Sequence, residues 1–170
     1  MLFSNLFLAT ISLALAAEAT QAADLVVLEE FTSNDGVSTI TVYGDAVTSP
    51  AAADIRGRDL YRRCGSNVLR CDNSHEANRN ACISLVNDLR GSSAQLPGSP
   101  RSICGTYNGQ QCCVSWHNPV SNAVRSHLAG AAQKALDGCR GDNGVSGKTS
   151  DTLIGSTCTD QCLSNRATGC

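Results

Sequence analysis

The chain has 170 residues, ten of them cysteine, and a formal charge of −2, which allows one domain and is too near neutrality to draw it to nucleic acid or an anionic membrane. The charge is split, with nine Lys and Arg against seven Asp and Glu in residues 64–170 and four against seven in residues 24–63. All ten cysteines (Cys64, Cys71, Cys82, Cys104, Cys112, Cys113, Cys139, Cys158, Cys162 and Cys170) fall in the later segment, a density found in secreted disulfide scaffolds, and the even count suits five bridges.

Residues 1–19 read as a secretory signal peptide. The apolar run Leu6 to Leu15 is too short for a comfortable bilayer span, and the small-residue cleavage patterns Ala14-Leu15-Ala16 and Ala17-Glu18-Ala19 follow it. No Lys or Arg precedes the run, so the amino terminus alone supplies positive charge there. No other stretch is long and apolar enough to cross a membrane, so a soluble, extracellular protein is expected.

Residues 20–63 are acidic and free of cysteine. Val37 to Tyr43 alternates like a strand, and Ser49-Pro50-Ala51-Ala52-Ala53 reads as linker. The segment ends in Arg62-Arg63 beside Cys64, a dibasic pair of the kind kexin-type proteases cut. Two readings stay open: a pro-segment removed at Arg62-Arg63, or an N-terminal extension that remains attached.

Residues 64–170 form the cysteine-rich domain. Asn73-Ser74-His75-Glu76 has the form of a capping box. Cys82, Leu85, Val86 and Leu89 then recur at helical spacing until Gly91. After a Ser, Gly and Pro loop, the runs Ser102 to Tyr107 and Gln110 to Trp116 flank Asn108-Gly109, which suits a type I′ turn. A two-residue turn pairs Tyr107 with Gln110, Gly105 with Cys112, Cys104 with Cys113 and Ile103 with Val114. Cys104 and Cys113 share a non-hydrogen-bonded position, close enough for a bridge. The remaining connectivity stays open, since ten cysteines pair in about 945 ways.

A second helix is predicted from the Asn118 cap and Pro119 through Val120, Val124, Leu128, Ala131, Ala132, Ala135 and Leu136 to Cys139. Arg140 to Lys148 reads as a Gly-rich loop, and Thr152-Leu153-Ile154 begins a short strand. The resulting fold class is α+β, a small disulfide-rich domain with an antiparallel sheet packed by two helices.

Chemistry-bearing motifs are sparse. Cys158-x-x-x-Cys162 and Cys112-Cys113 resemble thiolate ligand pairs, but an exported chain favours disulfides, so no metal and no cofactor are expected. Gly144 to Thr149 ends like a phosphate-binding loop, yet the motif needs glycine where Asp142 stands. Arg140-Gly141-Asp142 is a tripeptide too short to count, and no Asn-x-Ser/Thr sequon occurs. The histidines are His75, His117 and His127, with no nucleophile elbow or carboxylate pair to partner them. Trp116 and His117, at the end of the hairpin, are the candidates for surface recognition if the ring is not simply core.

Ser99-Pro100-Arg101-Ser102-Ile103-Cys104, Cys112-Cys113-Val114-Ser115-Trp116 and the stretch Gln161 to Cys170 resemble fungal secreted proteins with a WD-like domain. The resemblance covers nearly all of residues 64–170. It implies a secreted protein of no settled activity and offers no catalytic residue. It does not imply a WD-repeat propeller, because one copy this short cannot supply several four-stranded blades. A looser likeness, in length, cysteine count and element order, is to the small fungal killer toxins. A hydrophobin is excluded, because that pattern needs two Cys-Cys pairs.

The expected function is that of a monomeric, non-catalytic extracellular binding or effector-like protein whose partner is an extracellular protein or cell-wall ligand. The alternatives are a killer-toxin-like growth inhibitor and a small secreted hydrolase that uses a histidine.

Overall fold

The computed structural model describes residues 25–45, 64–96, 100–142 and 144–169. In chain order its elements are β1 (Leu25–Thr32), β2 (Thr39–Asp45), β3 (Val68–Cys71), α1 (Arg79–Gly91), β4 (Pro100–Tyr107) and β5 (Gln110–Trp116). A 3₁₀ turn (Arg125–Leu128), α2 (Ala129–Gly138), β6 (Gly147–Ile154) and β7 (Thr157–Ser164) complete them. The strands form one open antiparallel sheet in the order β1-β2-β4-β5-β7-β6-β3. This is the α+β arrangement expected for a small disulfide-rich domain.

The hairpin β4–β5 lies near the middle of the sheet and keeps the register that its turn dictates. Asn108 and Gly109 both have positive φ, 49° and 73°, as a type I′ turn requires. Side chains alternate across the sheet, so Ile103, Cys112, Val114 and Trp116 share one face while Cys104 and Cys113 share the other.

Both helices lie on the first of these faces, α1 against β4 and β5 and α2 against β6 and β7. Leu85, Val86 and Leu89 of α1 and Ala132, Ala135 and Leu136 of α2 join Ile40, Val42, Ile103, Val114, Trp116, Ile154 and Leu163 in one core. Gly105 permits the close approach of α1: a Cβ there would stand 3.2 Å from Leu85 Cβ and 3.3 Å from Ile40 Cδ1.

Four local expectations shift. The N-cap of α1 is Asn78, whose side chain accepts from the N–H groups of Asn80 and Ala81, and not Asn73. His75, with φ of 60°, cannot continue a helix across the predicted box. The second helix starts at the 3₁₀ turn rather than at Asn118-Pro119, although the apolar periodicity runs through both. There Ala123 and Ala94 give their carbonyls to the N–H groups of Leu96 and Arg125, and Asn122 has φ of 52°, so the backbone bonds outward across the loop. Gly147 and Lys148 belong to β6 rather than to a loop.

The fourth shift concerns the expected boundary before Cys64, which is not a boundary of the sheet. β2 pairs with β4 from Thr39–Thr106 to Gly44–Pro100, and Ile40 and Val42 are fully buried.

Candidate functional site

Adjacent side chains on a strand point to opposite faces, so Cys112 and Cys113 staple different parts of the molecule. Cys112 reaches through the core to Cys82 on α1, and Cys113 bonds Cys104 across the hairpin, where the Cα atoms are 4.0 Å apart. Cys71 on β3 joins Cys139, the C-cap of α2, and Cys64 joins Cys158 on β7. Cys162 is disulfide-bonded as well. Cys170, Ala19, Arg62 and Arg63 lie outside the described residues.

Trp116 is only 3% exposed and belongs to the core, so it lines no surface groove. The alternation that sends Val114 inward sends Trp116 inward too. His117 is exposed, and its backbone N–H donates to the carbonyl of Asp160 at 3.1 Å. The surface pair suggested by the sequence is therefore divided between core and solvent.

The other histidines are also exposed. His75 stands near Asp72, whose carboxyl is held below the usual carboxylate range by the Ser74 N–H and hydroxyl at 2.8 and 2.9 Å, with help from the His75 charge. Burial pushes the Asp160 carboxyl up. The Lys148 ammonium at 2.6 Å outweighs that, with Ser150 and His117 adding to it, and the net direction is down. His127 Nδ1 accepts the Val124 N–H at 3.3 Å. A depression of about 310 Å³ lies at the start of α1, lined by Asn78, Arg79, Asn80, Arg140, Gly141, Asp142 and Gly144, and none of the histidines borders it. Among the described residues, no group of three or more His, Cys, Asp or Glu could hold a metal ion. No helix among them is long and apolar enough to cross a membrane.

A polar constellation lies where the β1–β2 hairpin meets the helices. Asp88, 5% exposed on α1, accepts from Ser33 Oγ at 3.0 Å, the Asn34 N–H at 3.2 Å and Asn34 Nδ2 at 3.1 Å. Arg125, also 5% exposed, donates to Glu29 Oε2 at 2.5 Å and stacks 4.7 Å from the Phe31 ring centre. Ser84 Oγ donates to Asp35 Oδ2 at 2.5 Å and shares a 2.7 Å hydrogen bond with Ser38 Oγ. The Ser84 hydroxyl, followed by the N–H groups of Ser38 and Val37, holds the Asp35 carboxyl far below the usual carboxylate range.

Sequence reasoning missed Asp88 and Arg125. For Asp88 a signal exists: it falls three residues after Leu85 and one before Leu89, on the buried stripe of α1, where a charge demands a partner.

Comparison with curated proteins and with solved structures finds no match. The likeness to killer toxins thus gains no support, whereas the model of the Fungal WD-like family matches residues 17–170. That span takes in the N-terminal hairpin as well as the cysteine-rich region, and the sheet it describes is open, not closed into a propeller. By that match the chain belongs to the Fungal WD-like family.

Proposed function

We propose that this protein is exported and acts outside the cell as a non-catalytic binding protein, with an extracellular protein or cell-wall material as its partner. The observation that supports it most is that every described cysteine is disulfide-bonded, a state that persists in oxidising compartments. The bridges cross-link β3 to the end of α2, α1 to β5, β4 to β5 and residue 64 to β7, and so restrain a platform of the kind recognition surfaces use. The histidines are spread over separate exposed positions, and the carboxylates that feel the charges of His75 and His117, Asp72 and Asp160, are already engaged by Ser74 and Lys148.

The test uses the native protein from culture medium. It should be recovered there with its thiols blocked from alkylation until reduction, and it should bind isolated cell walls or a wall-protein extract saturably. Reduction should abolish that binding. Free thiols in the native protein, retention inside the cell, or a hydrolytic activity lost on replacing the three histidines would overturn the proposal.

A further inference from the structure

Among the described residues of the cysteine-rich part, two charged side chains of opposite sign are buried, Asp88 and Arg125, and both meet side chains of the N-terminal hairpin. The backbone of β4 pairs with β2 of the same hairpin from Thr106 to Pro100. Ser84 adds its hydroxyl contacts to Asp35 and Ser38, and Ile40 and Val42 of the hairpin are fully buried in the shared core.

Removing the hairpin would break the hydrogen bonds to the Asp88 carboxylate and the ion pair of the Arg125 guanidinium, contacts of the stronger, charge-assisted kind. The fit is thus complementary in charge and hydrogen bonding, and it buries apolar side chains of the hairpin in the common core. Residues 1–63 contain no cysteine, so no disulfide joins the hairpin to the rest.

We propose that residues 64–170 carry a receptor site for a β-hairpin, that residues 25–45 are its resident ligand, and that the ligand stays seated after the connecting chain is cut. The ligand class follows from the contacts. It is a strand with branched aliphatic side chains at alternate positions, a turn offering hydroxyl and amide donors to Asp88, and a carboxylate for Arg125. A protease that adds water across the peptide bond after Arg63 would accordingly produce a two-chain protein and not a free pro-segment. The inference does not depend on the extracellular binding role.

A site-specific protease sequence placed within residues 46–63 of the full chain, cut after oxidative folding, tests it. The two fragments should separate on a denaturing gel without reductant, yet travel as one species in size-exclusion chromatography and native mass spectrometry. An isotope-labelled peptide of residues 25–45 should then exchange into the cut protein. Peptides carrying Glu29→Gln or Asn34→Ala should enter roughly ten-fold more weakly, the loss of one charge-assisted contact. The body is the same in every arm, so misfolding of a variant cannot mimic the result. Departure of the hairpin on cutting, or equal exchange by the altered peptides, would overturn the proposal.

Discussion

β2 and β7 flank the central β4–β5 hairpin on opposite sides, yet different physics holds each in place. β7 carries two half-cystines, Cys158 and Cys162. β2 has none, and its hairpin depends on a backbone ladder, two buried aliphatic side chains worth about 1.5–3 kcal/mol each, and the contacts of Asp88 and Arg125. Cross-links act chiefly by restricting the unfolded chain, whereas hydrogen bonds to buried charges act in the folded state. One side of the sheet should therefore answer to reductant and the other to pH and to single side-chain changes.

The largest effect is expected where covalent and apolar forces coincide. Cys82 and Cys112 bridge α1 and β5 through the core across 30 residues of sequence. Replacing both by alanine should lower stability by about 3–4 kcal/mol, read as a fall in the urea midpoint. The change should affect the whole domain. A loss confined to residues 25–45 would break the comparison.

Asp88→Ala should come next. It removes the acceptor of three donors, of which the Ser33 hydroxyl is buried while those of Asn34 can turn to water, and should cost about 1–3 kcal/mol. Amide hydrogen exchange should show residues 25–45 losing protection first, while the disulfide-linked strands β5 and β7 keep theirs. Equal loss everywhere would mean that the hairpin is no separate unit.

The smallest effect is the acid response of the turn between β1 and β2. Asp35 is fully exposed, and its folded-state carboxyl titrates below the ordinary value of 3.8 because Ser84, Ser38 and Val37 donate to it. A depressed value means that the contribution is present above the unfolded-state range and fades as pH falls below it. The Val37 and Ser38 amide signals should thus move on acidification below about pH 4, and Asp35→Asn should remove that movement. A turn whose signals stay fixed through that range would remove acid sensitivity from the contrast.

Elements with a strong local cause were legible before the fold was known. Asn108-Gly109 specifies a turn, the turn specifies a register, and the register brings Cys104 to Cys113. Elements lacking such a cause were not. β1 has exposed Val26, Val27 and Leu28 and so no alternation to read, and β3 has four residues. The run from Val120 to Leu136 has one apolar period, but only its later part is helical, because residues 94–96 compete for the backbone of residues 123–125.

The sequence by itself determined a cysteine-rich domain of α+β class, its central hairpin with the Cys104–Cys113 bridge, and the apolar stripes of its helices, because spacing and turn chemistry act over a few residues. Only the tertiary structure decided that Cys112 and Cys113 staple different elements, that Trp116 is core, and that a cysteine-free acidic segment completes the sheet. Those outcomes depend on which distant side chains come to face one another, and a buried charge such as Asp88 or Arg125 reveals its partner only when the chain between them has folded.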